Sequence, residues 1–212
     1  LIAVEGIDGA GKTTQVRLLA QAIERLGERV VTSKEPTDGP WGRKLRESAA
    51  TGRLSPNEEL QAFVNDRIEH VRTLIQPALE AGETVILDRY FYSTISYQGS
   101  RGGDIAELKA RMEQIAPVPD VVFLLDLPPA EGIRRISESR NERPNEFEKL
   151  DTLTRVRDAF NAIPEPCIVR IDGGRPVEEV HQALVTELSR RATGNLQRLR
   201  GLQPVRESAA RG

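Results

Sequence analysis

The sequence predicts an α/β fold, a five-stranded parallel sheet with helices on both faces. Three observations carry this prediction. Five short, β-branched apolar runs recur along the chain, longer amphipathic stretches separate them, and a glycine-rich turn lies between the first run and the first amphipathic stretch. The 212 residues, 38% hydrophobic and 29% charged, suit one globular domain and argue against a fibrous or disordered chain.

The apolar runs are LIAVE (1–5), RVVTSK (29–34), TVILD (84–88), VVFLLD (121–126) and CIVRI (167–171). They are brief and nearly continuous in hydrophobicity, as strands covered on both faces of a parallel sheet should be. Helical periodicity fills 12–26, 56–81, 104–116, 128–139, 150–163 and 176–192. Right-handed crossovers through these helices give a doubly wound sheet. Ser55, Pro56 and Glu58 supply a helix cap, an N1 proline and a capping-box partner, and Asp104 with Glu107 repeats the pattern. Leu60, Val64, Ile68, Val71 and Ile75 form an apolar stripe on the long third stretch. Pro77 interrupts that stretch, so the helix should kink or restart near Gln76. Beyond Arg191 the periodicity fades into an arginine-rich segment. Residues 1–192 are therefore read as the domain and 193–212 as an appended tail outside the core.

Composition excludes several function classes. Lys and Arg number 30 against 32 Asp and Glu, a formal net charge of −2, so no overall basic field draws in nucleic acid or anionic lipid. One cysteine and two histidines cannot form a Cys/His zinc cluster, and Cys167 cannot make an intramolecular disulfide. A reducing, cytoplasmic setting is expected. No apolar run approaches the roughly 20 residues that span a bilayer, and LIAVEG lacks the basic n-region of a signal peptide. Neither membrane insertion nor secretion is expected. The chain opens at Leu1, so a short native segment is expected to precede this numbering.

Gly6, Ile7, Asp8, Gly9, Ala10, Gly11, Lys12 and Thr13 fit GxxxxGKT between the first strand and the first helix, the context that a phosphate-binding loop requires. Glycines let the backbone curl so that its N–H groups face an anion, and the helix N-terminus adds partial positive charge. Lys12 is expected to reach the β- and γ-phosphates and Thr13 to ligate Mg²⁺. No NKxD signature for guanine follows, nor the HRD and DFG signatures of protein kinases. Ligands of doubly wound sheets gather beyond the carboxyl ends of the strands, which directs attention to Lys34-Glu35-Pro36, Asp88-Arg89 and Asp126. Asp126 either assists magnesium or caps the helix beside Pro128 and Pro129.

GIDGAGKTT, KEPTDGPWGRKLR, FVNDR and DRYFYSTISYQG, in that order, resemble the thymidylate kinases, members of the nucleoside monophosphate kinase group of P-loop proteins. The resemblance covers about residues 1–190. It implies the P-loop NTPase fold, transfer of the γ-phosphoryl group of ATP to dTMP with Mg²⁺, and a homodimer paired through helices that flank the sheet. ATP contacts would run from Gly6 to Thr14. Arg89 would hold the acceptor phosphate while Asp88 organises magnesium and water; a guanidinium suits this role through paired donors and a charge that offsets the repulsion of two anions. Arg46 matches a second grip on that phosphate, with Arg43 and Lys44 facing solvent. Phe63 and Arg67, four apart on one helix, would stack on the base and bond a carbonyl. Thr94 and Gln98 match positions that read the pyrimidine edge, and Tyr97 one that crowds the sugar 2′ position. Asp8 matches an acid that touches the sugar 3′-OH or the magnesium shell.

No cation lies between Ile7 and Ala10, so charge on the transferred group must be met from elsewhere. The segment 137–149 is read as a lid whose Arg140 or Arg143 closes onto the donor phosphates; Asn145-Glu146 stand where the family usually has Asp-Arg, so either arginine fits. His70 and His181 are assigned no chemistry and are expected to be exposed or packed on helices. Cys167 is read as buried strand filler, and the DGGR loop at 172–175 as bordering the adenine by position. Two alternatives stay open. The acceptor could be dUMP or another monophosphate, because a single methyl discriminates by only about 1–3 kcal/mol. The chain could also be an inactive nucleotide-binding regulator, against which Lys12, Thr13, Asp88 and Arg89 argue.

Overall fold

All five apolar runs join one parallel sheet in the order β2-β3-β1-β4-β5. These are β1 (Ile2–Glu5), β2 (Val30–Lys34), β3 (Thr84–Asp88), β4 (Val121–Asp126) and β5 (Ile168–Asp172) in the computed structural model, which describes residues 1–52, 54–140 and 149–205. β1 lies between β3 and β4, the point where the strand order reverses. Val4 is opposite Asp88 on one side and Phe123 on the other, so the carboxyl ends of β1, β3 and β4 meet at one rim. β1, β3 and β4 are buried along most of their length, whereas β2 and β5 alternate with exposed positions because they are the edges. Cys167 falls just before β5 and is half-buried, so it is not the buried strand residue expected.

Around the sheet run α1 (Lys12–Glu24), α2 (Pro40–Thr51), α3 (Pro56–His70), α4 (Gln76–Glu80), α5 (Phe91–Gly99), α6 (Ile105–Glu113), α7 (Pro129–Arg140), α8 (Leu150–Ala162) and α9 (Val177–Arg190). The periodic stretches of the sequence correspond to seven of these; α2 and α5 were not among them. Seven of the nine residues of α5 are buried, so it shows no polar face to reveal a period. α2 opens on Gly39-Pro40 and carries Gly42, residues that read as a turn. Gly42 is required by packing: a Cβ there would approach the Thr37 carbonyl oxygen to 1.8 Å.

Ser55 and Glu58 close a capping box at the start of α3, and Asp104 Oδ1 accepts from the Ala106 and Glu107 N–H groups at the start of α6. Pro77 acts as expected. A π-helical turn at Val71–Ile75 follows α3, and α4 restarts at Gln76, because the widened turn accommodates a ring that lacks an N–H and crowds the preceding carbonyl. Ile68, expected on the apolar stripe, is 45% exposed.

The segment after Arg191 corrects the tail reading. Gly194–Leu199 forms a 3₁₀ turn, and Leu196, Leu199, Leu202 and Val205 are buried within the main core. Arg198 donates to Gly82 O at 2.6 Å and to Thr84 Oγ1 at 2.9 Å, and pairs with Glu28 at 3.2 Å. Leucines at 196, 199 and 202 recur every three residues, the spacing of a 3₁₀ turn and not of the α-helix sought in the sequence. Residues 206–212 lie outside the described residues.

His181, read as exposed or helix-packed, is fully buried and accepts a hydrogen bond at Nε2 from the Val205 N–H at 3.0 Å. Burial lowers its pKa to about 4. The unfolded imidazole takes a proton near its ordinary value, so this site's contribution is intact above about pH 6.5 and declines as pH falls toward 4. We expect about 2 kcal/mol of stability to be lost from this site between pH 7 and pH 5. Urea unfolding of the native chain and of His181→Gln, which keeps an acceptor but does not titrate, checks this: equal pH slopes would refute it. Truncation after Ala192 should cost roughly 3 kcal/mol or more through lost apolar burial, read in the same assay.

Candidate active site

At the rim where β1 and β3 end, the chain makes two unusual turns. Gly6 and Gly9 take positive φ of 143° and 81°, and a Cβ on Gly9 would lie 2.4 Å from the Gly132 carbonyl oxygen of α7. Only glycine lets the loop rest there. The second turn is at Arg89, the one positive-φ residue other than glycine among the described residues, at 68°. A left-handed arginine costs roughly 1–2 kcal/mol, so neighbours must hold it.

Glu5 does so. Fully buried at the end of β1, its carboxylate accepts from the Tyr90 N–H at 2.8 Å, the Ser93 N–H at 3.0 Å and the Ser93 hydroxyl at 2.6 Å. The Arg89 N–H bonds Val4 O at 3.0 Å, so the turn is fixed on both sides. Burial raises the Glu5 pKa to about 7 despite the bonds from Ser93 and the charge of Arg89. The turn aims the Arg89 guanidinium back at the glycine loop, where Nη2 meets Asp8 Oδ1 at 2.5 Å and Nη1 bonds Ser93 Oγ at 3.0 Å. Burial would raise the Asp8 carboxyl, but Arg89 and Lys12 hold it down at about 2. Tyr97 donates to Asp8 Oδ2 at 3.0 Å, and the Arg89 guanidinium lies 5.5 Å from its ring centroid.

Lys12, at the start of α1, bonds Ile7 O at 2.8 Å across the loop. Burial and the nearby Arg89 charge lower its pKa to about 8, with Asp8 and Asp88 acting in the opposite sense. Next to it, the exposed Thr13 hydroxyl donates to Asp88 Oδ2 at 2.5 Å. A hydroxyl oxygen and a carboxylate oxygen are the hard donors that magnesium prefers, and that ion usually takes few protein ligands.

Beside the loop lies a cavity of about 270 Å³. Asp8, Arg46, Phe63, Arg67, Arg89, Thr94, Tyr97 and Gln98 are among the residues that line it. α3 contributes Phe63 and Arg67 one turn apart; α5 contributes Thr94 and Gln98 in the same way. Arg67 is 1% exposed, and its Nε and Nη2 bond Glu35 Oε2 at 3.0 and 2.5 Å. His70, which the sequence reading placed in no site, bonds the other Glu35 oxygen at 3.0 Å and Ser33 Oγ at 2.8 Å. Burial would raise the Glu35 carboxyl, but Arg67 and His70 hold it below its ordinary value. Arg46 reaches Pro36 O at 3.0 Å and pairs with Asp38 at 3.0 Å, while Arg43 and Lys44 are exposed as expected.

Residues 4–184 match the family model described as Thymidylate kinase. This chain belongs to the thymidylate kinase family. It is 51% identical over 199 residues to the thymidylate kinase of Xanthomonas euvesicatoria pv. vesicatoria (strain 85-10), covering 92% of this chain and 87% of that protein. With the thymidylate kinase of Xylella fastidiosa (strain M12) it shares 49% identity over 199 residues, covering 92% and 91%. The all-parallel sheet with its glycine loop is the P-loop NTPase fold of this family.

All eight residues expected at the monophosphate site line the one cavity. The Asp126 carboxylate oxygens accept from Arg157 of α8 at 2.6 and 3.0 Å. Arg143 and lid residues 141–148 lie outside the described residues, as does the Arg140 side chain at the end of α7. Sequence reasoning missed Glu5, Glu59, Ser93 and Arg101. Glu5 had a usable signal, an acid closing an otherwise apolar strand, and Glu59 stands one helical turn before Phe63. Replacing Glu5 by leucine leaves the Tyr90 N–H without its partner, while the Ser93 N–H keeps Tyr90 O at 3.1 Å, and should cost at least about 2 kcal/mol. Chemical denaturation reads this directly, and a loss below about 1 kcal/mol would contradict the anchoring of the Arg89 turn.

Proposed function

We propose that this chain transfers the γ-phosphoryl group of ATP to dTMP, giving dTDP and ADP. One observation carries the reading: a cavity that brings Arg46, Arg67 and Arg89 together with Phe63, Thr94 and Gln98 lies beside the loop that carries Lys12. The family and its relatives support the same reaction.

In this reading Gly6 to Thr14 bind ATP, with Lys12 on the β- and γ-phosphates. Arg89 and Arg46 hold the dTMP phosphate, Phe63 stacks on the base, and Arg67, Thr94 and Gln98 read its edge. Tyr97 and Asp8 meet the sugar. Thr13 and Asp88 would hold Mg²⁺, which supplies charge neutralisation between the phosphates when bound. The protein's own part is positioning: Arg89 draws the acceptor phosphate toward the loop, and its charge offsets repulsion between the two anions. No covalent intermediate is required. Arg140 or Arg143 meets charge on the transferred group from the lid. A homodimer and a cytoplasmic setting belong to the same proposal, the first on the family resemblance and the second on the lone free thiol. Among the described residues no helix is long and apolar enough to cross a membrane.

A coupled ADP-release assay over a panel of nucleoside monophosphates tests the reading. Turnover should depend on dTMP and exceed that with dUMP; ADP release indifferent to any monophosphate would overturn it. Arg89→Ala should lower kcat/KM by roughly 10³-fold, the scale of an arginine that neutralises phosphoryl charge.

A further inference from the structure

We propose that Glu59, held by Arg101, is a positioning residue that fixes the Gln98 amide so that the cavity offers a hydrogen-bond acceptor to a ring N–H, selecting thymine or uracil over cytosine. The inference rests on the proposed function and assigns the polarity of its base-reading wall.

Glu59, Phe63 and Arg67 follow one another at four-residue spacing along α3, and all three line the cavity. Phe63 is thus flanked by a buried acid and a buried base. Glu59 is 3% exposed, and its Oε2 accepts from Arg101 and, at 3.3 Å, from Gln98 Nε2. A carboxylate paired with arginine has no proton to donate, so only the NH₂ side of the Gln98 amide can face it. The carbonyl side, Oε1, is then turned away from Glu59, and among the described residues it has no hydrogen-bond partner. The orientation follows from the chemistry of the neighbour, independently of how the amide atoms are assigned.

The same logic sets the opposite polarity one turn earlier. Glu35 takes Arg67 Nε and Nη2, and Arg67 Nη2 also donates to Thr94 Oγ1 at 3.1 Å. Because arginine only donates, the Thr94 oxygen must accept, which frees its hydroxyl hydrogen. The wall therefore sets donors at Arg67 and Thr94 beside an acceptor at Gln98. A base with a carbonyl next to a ring N–H complements that order, as thymine and uracil do. Cytosine carries an amino group and an unprotonated ring nitrogen in the same places and meets donor with donor and acceptor with acceptor. A buried site left with unpaired polar groups rejects an analogue strongly.

The test measures equilibrium binding of dTMP, dUMP, dCMP and the N3-methyl derivative of dTMP to the full chain, with steady-state kinetics for the substrates that turn over. The native protein should bind dCMP and the N3-methyl compound at least 100-fold more weakly than dTMP. Glu59→Gln, whose amide can donate to Gln98 Oε1 and let it turn, should narrow the dTMP-to-dCMP gap tenfold or more and raise KM for dTMP more than it lowers kcat. A folded Glu59→Gln protein with the gap unchanged would overturn the proposal. So would native protein that binds the N3-methyl compound as tightly as dTMP, a result that needs no variant. Binding in the expected order without ATP-dependent turnover would support this inference while removing the proposed phosphotransfer.

Discussion

The ion pair between Arg89 and Asp8 is the constraint on which the rest of the site depends. It joins the end of β3 to the glycine loop, and it forms only because Arg89 occupies a left-handed conformation that most residues avoid. That conformation costs roughly 1–2 kcal/mol. Glu5 offsets it from beneath with three hydrogen bonds to an acid, each worth about 1.5–3 kcal/mol when the acid is charged. Glu5 has its own opposition, since burial lifts its pKa to about 7. The turn is therefore balanced, and its strain sits where two anionic reactants would have to meet.

Each cation at the rim is aimed by an oxygen. Lys12 lies on Ile7 O, Arg89 on Asp8 and Arg67 on Glu35. Buried charges left without partners would shift protonation or move. Burial first, and the neighbouring Arg89 charge second, depress the Lys12 pKa. An anion in the loop would raise it, because an opposite charge favours the protonated amine. The acids thus hold the cations in readiness, and the electrostatic imbalance at the loop favours an arriving phosphate.

Much of this was legible in the sequence. The strands announced themselves because the inner ones are apolar throughout, and the glycine loop because its spacing has a single structural use. α5 hid for the converse reason: buried on nearly every side, it has no periodic polar face. The C-terminal segment hid because its leucines follow a 3₁₀ spacing amid arginines, so residues that complete the core resembled a solvated tail. At the site, eight of the residues lining the cavity were found through motifs, whereas Glu59, Ser93 and Arg101 were not. His70 was assigned no chemistry, and in the fold it braces Glu35.

What escaped has a common physical character. Glu5 and Glu59 are buried acids whose importance lies in the direction they impose on a neighbour. A sequence search for groups able to bond a ligand passes over them, since a carboxylate facing a pyrimidine carbonyl would repel it. Yet arginine donates only, and glutamine can present either end, so a donor-acceptor pattern is undefined until something fixes the ambiguous member. An ionised acid does this at the lowest structural cost, because it has only one way to bond an amide. In the proposed reading Glu59 directs the donor-acceptor order of the cavity, and its four-residue spacing from Phe63 is the trace it leaves in sequence.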